Sequence, residues 1–439
     1  MCSCEDCAAL CRTAQLLRMD VFGSEPDNDH GIVSGLRATT ARIVADQRTA
    51  MSPGGQTAIA TLYGQLIMMG LQVDLDVPDV ALVAPQPPLE GDRLVAALLG
   101  YSDDLMPGGS SSGSDHPEIV FALGDTEVPR AAVRLSWTNH LAIVVPGNED
   151  APAPAGTRSP FGPIAAAAAA AAEGVRAAIP VIAEFLEVAL PNRPTWRGPG
   201  TRWVSVNLEP VVNIIEPRLG EVDAISGGAI TNAAIYCLLR VPDLAGRMRV
   251  VEDDLLEPSN LNRYGLARRS RVGGPKTDLL ESLSTDRFQI VGERMRLEDS
   301  TADALRPLAS QVLVGVDHIP SRWLAQDKYG DARLCVGATS HDFVLVSEHR
   351  PGTPCAGCSH PNDDDGTGPI PTIAFVSLWA GLVQSAFLLS GRDRSPGRAA
   401  DVWPLGLHNP RGLRQYRPDA NTCCPVRCRA SQALRSQAS

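Results

Sequence analysis

The chain has 439 residues, of which 44% are hydrophobic, and its formal net charge is -11. This length and hydrophobic content allow two globular domains and exclude a chain that is disordered throughout. The acidic balance and the lack of a run of basic residues argue against nucleic acid as a partner, because phosphate binding needs clustered cations.

The chain begins with a cysteine-rich head, residues 1–20, in which Cys2, Cys4, Cys7 and Cys11 form a C-x-C-x-x-C-x-x-x-C run. No basic region followed by an apolar run is present there, and nowhere do 18 apolar residues continue without interruption. We therefore expect a cytoplasmic protein with no membrane partner. We expect the cysteines of the chain to be metal ligands or buried thiols rather than to form disulfides. A small metal knot and a short helix with reduced thiols both remain open for the head.

Residues 21–150 predict an α+β domain with no chemical motif. Apolar runs of strand length are split by segments rich in proline, glycine and serine, such as Pro107–Gly113. The predicted elements are a helix at Thr57–Leu71 and strands at Val80–Val83, Ile119–Leu123, Ala131–Leu135 and Leu141–Val145.

A segment rich in proline and alanine, Ala151–Pro160, has the composition of a linker, so we place the start of the second domain at residue 151. Eight consecutive alanines follow at Ala165–Ala172. Alanine is the best helix former and Pro163 suits a first helical turn, so these residues predict a closely packed helix.

After Pro217 the pattern changes to alternating strands and helices. This alternation predicts a doubly wound parallel sheet, whose ligand lies at the carboxyl ends of the strands. The predicted strands are Val222–Ser226, Met248–Val251, Phe288–Val291, Gln311–Val316 and Leu334–Gly337, and the predicted helices are Ala229–Leu239 and Lys276–Leu283.

The first of these strands ends in a glycine loop, S-G-G-A-I-T-N, which starts at Ser226 and opens a helix. Such a loop lets backbone N–H groups approach a phosphate at a helix N-terminus, although an ordinary strand-to-helix turn explains it about as well. The acid that follows about 24 residues later, Glu252, also fits a dinucleotide signature. A nicotinamide-dependent oxidoreductase therefore remains an alternative.

Three further motifs follow in order: E-D-D at 252–254, S-N-L-N-R at 259–263 and G-G-P-K at 273–276. With these motifs the chain resembles the ThiF/MoeB and ubiquitin-activating superfamily. The resemblance implies a Rossmann-like adenylation domain over residues 151–439 that converts a carboxylate and ATP into an acyl-adenylate and pyrophosphate. The carboxylate would be the C-terminus of a small ubiquitin-like or sulfur-carrier protein or of a peptide.

The resemblance also implies roles for individual residues. Glu252 would hold the ribose, because an acid at this strand end accepts hydrogen bonds from ribose hydroxyls. Asp317, after the fourth strand, would position Mg²⁺, and His318 has no assigned catalytic role. The remaining predicted nucleotide-binding residues are Gly228, Asp254, Asn260, Arg263 and Lys276, with Arg263, Lys276 and Asp317 also catalytic.

An arginine and a lysine can neutralise a triphosphate. Only two lysines, Lys276 and Lys328, occur among the 39 basic residues. The alternative is that Arg263 and Lys276 belong to a solvated face of the protein.

Two cysteine pairs near the C-terminus, Cys355 with Cys358 and Cys424 with Cys428, predict a structural Zn²⁺ site of four thiolates. The superfamily carries two C-x-x-C knuckles, and here the second is longer by one residue, with Cys423 as an alternate ligand. Paired free thiols are the other interpretation.

The glycine loop also departs from the superfamily. Ser226 and Thr231 stand where glycines are usual and only Gly228 remains, so a catalytically inactive protein-binding scaffold is a further alternative. The resemblance implies a homodimer, unless the N-terminal domain occupies the same surface. No thioester is expected, because the loop from Ser359 to Gly368 contains no cysteine.

Overall fold

The computed structural model describes residues 5–23, 28–110, 117–128, 132–190, 204–208, 217–362, 371–390, 397–405 and 412–438. Within these ranges the chain forms two sheets, one of six strands and one of eight. Each sheet has helices packed against it, and each is mostly parallel. The mixed α/β class and the Rossmann-like architecture of the C-terminal half agree with the prediction.

The N-terminal sheet has the order β2-β1-β3-β4-β5-β6. The pairs among its first four strands are parallel, and β5 and β6 continue the sheet antiparallel. Its strands are β1 (Thr40–Ala45), β2 (Gln72–Asp76), β3 (Ile119–Leu123), β4 (Val133–Trp137), β5 (Leu141–Pro146) and β6 (Val204–Asn207). Its helices are α1 (Glu5–Leu17), α2 (Asp29–Ala38), α3 (Gln47–Ala50), α4 (Pro53–Met68), α5 (Leu94–Leu105) and α6 (Phe161–Phe185).

Three predictions for this half were wrong. The N-terminal unit is a parallel-rich α/β unit rather than α+β. Residues 80–83 form no strand, and in that segment only Ala81 makes an isolated bridge, to Arg93. The unit does not end at residue 150, since β6 pairs with β5 and α6 packs on β4 and β5. The domain boundary was placed too early because residues 151–160 have the composition of a linker, and a surface segment inside a domain can have the same composition.

Helix α6 has the length and hydropathy of a membrane span, but 89% of its most apolar window is buried inside the protein. It packs against α2, α4 and the helix Ala374–Leu389 (α11) of the C-terminal unit. The small alanine side chains allow close approach: a Cβ on Gly174 would lie 2.6 Å from Leu66 Cδ2. The apolar surface of α6 is therefore buried against other parts of the protein.

The C-terminal sheet has the order β14-β13-β12-β11-β10-β7-β8-β9, parallel from β9 to β11 and antiparallel beyond. The alternating strands and helices after Pro217 thus form the predicted doubly wound sheet. Its strands are β7 (Arg218–Ile225), β8 (Ala245–Val251), β9 (Phe288–Glu293), β10 (Gln311–Val314), β11 (Arg333–Ser340), β12 (Phe343–His349), β13 (Ala399–Val402) and β14 (Leu413–Tyr416). Its helices are α7 (Ala229–Leu238), α8 (Lys276–Glu281), α9 (Ile319–Lys328), α10 (Ala356–Ser359), α11 (Ala374–Leu389) and α12 (Arg429–Ala438).

The two units share a buried interface in which α11 packs against both α4 and α6. Thr61 on α4 hydrogen-bonds the Tyr236 hydroxyl at 2.9 Å. The guanidinium of Arg240 lies 3.5 Å from the centre of the Tyr236 ring and donates to Gln86 Oε1 at 2.9 Å and to the Pro87 carbonyl at 2.6 Å. Buried polar contacts of this kind fix the relative position of the two units.

Candidate nucleotide site

A cavity of about 570 Å³ opens at the carboxyl ends of β7, β8 and β10. This is the edge where a doubly wound sheet binds its ligand. The cavity collects residues from many separate segments of the C-terminal unit. All seven predicted nucleotide-binding residues line it: Gly228, Glu252, Asp254, Asn260, Arg263, Lys276 and Asp317.

The glycine loop between β7 and α7 carries a serine in a left-handed conformation. Ser226 has φ +86°, which glycine adopts most easily, so Ser226 occupies the first glycine position as predicted. Its Oγ accepts the Gly228 N–H at 2.9 Å, and Glu252 Oε2 accepts the Gly227 N–H at 2.8 Å. The loop is thus held by side chains of the site itself.

Thr231, the last position of the loop motif, is fully buried under the loop and does not line the cavity. A Cβ on Gly315 would lie 2.7 Å from its Oγ1, so Thr231 packs against the start of the loop after β10.

The acids after β8 hold the lysine. Lys276 Nζ lies 2.8 Å from Asp254 Oδ2 and 3.9 Å from Glu252 Oε2. Burial acts to lower the pKa of Lys276, but Tyr264 and the two carboxylates outweigh it and raise that pKa. Lys276 is buried and charged, which excludes the interpretation as a solvated face.

Asn260 and Arg263 come from the turn after these acids. Asn260 Oδ1 accepts the Glu257 N–H at 3.0 Å and so caps the 3-10 turn Pro258–Asn260. Arg263 donates from Nη1 to Asn262 Oδ1 at 2.8 Å. Burial lowers the pKa of the Arg263 guanidinium, and the charge of Arg12 adds to that effect.

Asp317 lies just beyond β10, in a loop whose backbone carbonyls accept hydrogen bonds from Arg322. Arg322 donates from Nε to the Val316 carbonyl at 3.0 Å and from Nη2 to the Asp317 carbonyl at 3.3 Å. Within the described residues the Asp317 carboxylate has no hydrogen bond or ion pair, so its oxygens are available to a cation. His318 forms a 2.9 Å hydrogen bond with the Ser321 hydroxyl, in keeping with a polar neighbour at the sheet edge.

One cavity residue, Arg12 on α1, was missed from the sequence. It lies about 250 positions before the other site residues and inside a segment singled out only for its cysteines. No motif surrounds it. Only the packing of α1 against the turn Pro258–Asn260 places it in the cavity.

The thiols of Cys355, Cys358, Cys424 and Cys428 meet in one cluster, all within 4.8 Å of one another. Neighbouring Sγ atoms are 3.4 Å, 3.6 Å and 4.0 Å apart. A tetrahedral site with Zn–S bonds of about 2.3 Å has sulfur atoms roughly 3.8 Å apart, so the cluster fits such a metal. Cys423 is exposed and lies outside the cluster, which excludes it as the alternate ligand.

The other cysteines are of two kinds. Burial raises the pKa values of Cys237 and Cys335 to about 12, in agreement with packed thiols. The head forms the short helix of the second interpretation, α1, in which Cys11 is a free thiol, but Cys7 is disulfide-bonded, so a metal knot of four thiolates is wrong and the thiols are not all reduced. Cys2 and Cys4 lie outside the described residues.

No protein-family model matches the chain. A curated relative, the uncharacterized protein y4jF of Sinorhizobium fredii, is 41% identical over 61 residues, which are 14% of this chain and 12% of y4jF.

Similar solved structures include E. coli MccB with AMPCPP and MccA (TM-score 0.40) and with ATP (TM-score 0.39), both at 18% identity. Each match covers 48% of this chain and 66% of MccB. PaaA matches at 13% identity with a TM-score of 0.35, covering 45% of this chain and 64% of PaaA. At these identities and TM-scores the likeness carries no argument about this chain, and any function rests on the cavity.

Proposed function

We propose that the chain is an ATP-dependent adenylyltransferase that activates the C-terminal carboxylate of a small ubiquitin-like or sulfur-carrier protein or of a peptide. One observation carries this proposal. A single cavity at the ligand-binding edge of the sheet is lined by residues of the E-D-D, S-N-L-N-R and G-G-P-K motifs and by Asp317, which follows β10. A dinucleotide site has no use for a buried lysine, an arginine and a further aspartate at this edge.

The residues have complementary tasks in the proposed reaction. The substrate carboxylate oxygen attacks the α-phosphorus of ATP, a new P–O bond forms, and the bond to the leaving pyrophosphate breaks. Lys276 and Arg263 face the phosphates and offset the charge that develops on the leaving group. Glu252 would accept hydrogen bonds from the ribose hydroxyls, and Asp317 would hold a Mg²⁺ ion, whose charge would offset that of the phosphates. No covalent enzyme intermediate is needed.

The four-thiol cluster is assigned to a structural zinc ion. All four tetrahedral positions would be filled by protein, which leaves no open position for a substrate. Cys355 immediately precedes α10 and Cys358 lies within it, and α10 packs on α9, the helix that follows Asp317. The zinc ion would therefore support the wall of the cavity rather than take part in the chemistry.

Binding measurements separate this function from its alternatives. We expect one Mg·ATP bound per chain by titration calorimetry and no heat from NAD. Pyrophosphate exchange then separates an enzyme from an inactive scaffold that still binds ATP. Binding of NAD without ATP would instead identify the oxidoreductase.

We also expect the reaction to stop at the adenylate, with no thioester on this chain. Burial keeps Cys237 and Cys335 protonated at neutral pH, and a thiol is a poor nucleophile in that form. The loop after Cys358 contains no cysteine, although its part from residue 363 to 368 lies outside the described residues. Cys11 is a free thiol on α1.

The measurement is a non-reducing gel after incubation with ATP and the candidate carrier encoded beside the gene, with Cys11→Ser as the companion variant. An adduct that disappears on adding thiol, and is absent from the variant, would assign a thioester to Cys11 and refute the expectation.

A further inference from the structure

Two hydroxyl groups in the wall of the cavity have no hydrogen-bond partner. Thr372 and Ser377 both line the cavity, yet only 6% of Thr372 and 1% of Ser377 is accessible to solvent. Among the described residues, Oγ1 of Thr372 and Oγ of Ser377 form no hydrogen bond. A buried hydroxyl without a partner costs free energy that a bound acceptor would recover. The two hydroxyls therefore mark a place for an acceptor in the cavity.

Both hydroxyls belong to the N-terminus of α11. Thr372 lies two residues before this helix, and Ser377 lies at the end of its first turn. The first turn has no side-chain cap and no acidic residue, and the N–H groups of Ala374 and Phe375 have no acceptor among the described residues. A helix N-terminus carries a partial positive charge, and its first N–H groups lack partners within the helix. This position therefore favours an acceptor that is negatively charged.

Helix α11 runs beside α7 in the same direction. A Cβ on Gly381 of α11 would lie 2.5 Å from the Cβ of Ala233 on α7. One turn further along both helices, Ser385 forms a hydrogen bond with the thiol of Cys237. By this register Ser377, one turn before Gly381, lies level with the first turn of α7. Two helix N-termini thus open side by side on one cavity, and the glycine loop belongs to only one of them.

The N-terminus of α11 and Lys276 lie on different sides of the cavity. Lys276 begins α8, the helix that follows β8, whereas α11 packs against β11 and β12. In the sheet, β7 and β10 lie between β8 and β11. The cavity therefore has a cationic side at β8 and a side at β11 where Thr372 and Ser377 supply donors without formal charge.

One amide connects the N-terminus of α11 to the conserved-spacing arginine of the S-N-L-N-R motif. Asn262 donates from Nδ2 to the Thr372 carbonyl at 3.3 Å, and its Oδ1 accepts from Arg263 Nη1 at 2.8 Å. Asn262 is fully buried. An anion bound by Thr372 and an anion bound by Arg263 would therefore be neighbours in the cavity.

The proposed reaction brings two anions into contact, a triphosphate and a carboxylate. Charge repulsion opposes this encounter, so the carboxylate needs donors of its own to be held in place. Hydroxyl and N–H groups bind a carboxylate less strongly than a guanidinium or an ammonium does. They therefore leave its oxygen lone pairs more available for attack. Uncharged donors suit the nucleophile, and the cations suit the phosphates.

We infer that the N-terminus of α11, with the hydroxyls of Thr372 and Ser377, is the binding site for the carboxylate group of the substrate. The assignment of this anion as the nucleophile rests on the proposed function. Its oxygen forms the new P–O bond, and pyrophosphate leaves with the electron pair of the bond that breaks. The two hydroxyls bind and orient the carboxylate and transfer no proton. A substrate that ends in a neutral amide is rejected, because it carries no charge for the helix N-terminus to stabilise.

The first test uses acetate as the probe and needs no catalysis. Acetate binding to the full chain is measured by saturation-transfer NMR in excess pyrophosphate, which competes for the cationic side of the cavity, and acetamide is the neutral control. The wild-type chain should bind acetate and not acetamide. Thr372→Val and Ser377→Ala should each weaken acetate binding by about tenfold, the effect of one hydrogen bond to a charged group. Equal binding of acetate by all variants, or none by wild type, overturns the inference.

Ser385 supplies a matched control on the same helix. It is buried, lies outside the cavity and donates to the Leu382 carbonyl at 2.9 Å. Ser385→Ala should bind acetate as wild type does and melt at a lower temperature, because a satisfied hydrogen bond is lost. Thr372→Val and Ser377→Ala should melt no lower than wild type, because the hydroxyls they remove have no partner. Thr372→Ser keeps a hydroxyl and should keep the affinity for acetate.

Exchange kinetics separate this inference from the proposed function. In pyrophosphate exchange with the candidate carrier, Ser377→Ala should raise the KM of the carrier by about tenfold and leave the KM of ATP unchanged. A rise in both KM values would show a structural role and overturn the inference, as would an unchanged KM of the carrier. A wild-type chain that binds acetate through Thr372 and Ser377 but catalyses no exchange contradicts the proposed function alone.

Discussion

Replacing Asp317 or Lys276 with alanine is expected to slow partner-dependent exchange between pyrophosphate and ATP by about a hundredfold or more. Each change removes a charged group from the cavity that we propose holds the phosphates, and burial strengthens the effect of Lys276, whereas Asp317 is exposed. Lys276→Ala also leaves Asp254 and Glu252 without their cation, so the two carboxylates would repel the phosphates. Exchange is measured with labelled pyrophosphate and the candidate carrier.

The chain supplies matched controls for both changes. Lys328 is the only other lysine, and it lies at the end of α9 in an exposed ion pair with Asp299. Asp303 is an exposed aspartate in a surface turn, with 86% of its side chain accessible. Lys328→Ala and Asp303→Ala should therefore exchange at the wild-type rate. If Asp317→Ala and Lys276→Ala do so too, the site assignment is wrong.

Removal of the zinc ion is expected to cause the second large effect, a loss of thermal stability. Elemental analysis of protein purified under reducing conditions should find one zinc per chain, and a strong chelator should lower the melting temperature by about 5–10 °C. That range corresponds to the loss of a few kcal/mol at about 2 °C per kcal/mol for a large domain. The cluster joins the segment after β12 to the one before α12, so its loss frees both.

Two adjacent cysteines allow a sharp control of the zinc ligands. Cys424 is buried in the cluster, whereas Cys423 is exposed outside it. Cys424→Ser should lose most of the zinc and melt as low as the chelated protein. Cys423→Ser should keep a full equivalent of zinc and the wild-type melting temperature. Absence of zinc from the wild-type chain would leave the four thiols as a packed cluster and refute the assignment.

Much of the candidate site could be predicted because its signals are local. Glu252, Asn260, Arg263 and Lys276 lie within 25 positions of one another. The rule that parallel strands end at one edge of a sheet then adds Asp317 from a later strand. The altered glycine loop was also identified in the correct register, as the left-handed Ser226 shows.

The failures have physical reasons of their own. The apolar run at 80–83 was mistaken for a strand, because Val80 and Leu82 in this loop pack against the hydrophobic core without strand pairing. The parallel character of the N-terminal sheet depends on which strands pair, and pairing between distant segments leaves no trace in local periodicity. The domain boundary failed for the same reason, since β6 is recognised only by its partner β5.

The sequence by itself determined which charged and thiol side chains of the C-terminal unit come together, because such side chains at fixed spacing have few other uses. Only the tertiary structure decided that the N-terminal sheet is mostly parallel and that Arg12, Thr372 and Ser377 line the cavity. Strand pairing depends on backbone hydrogen bonds, which almost any side chain permits. Arg12 is brought to the cavity by helix packing alone, across an interface that no spacing along the chain encodes.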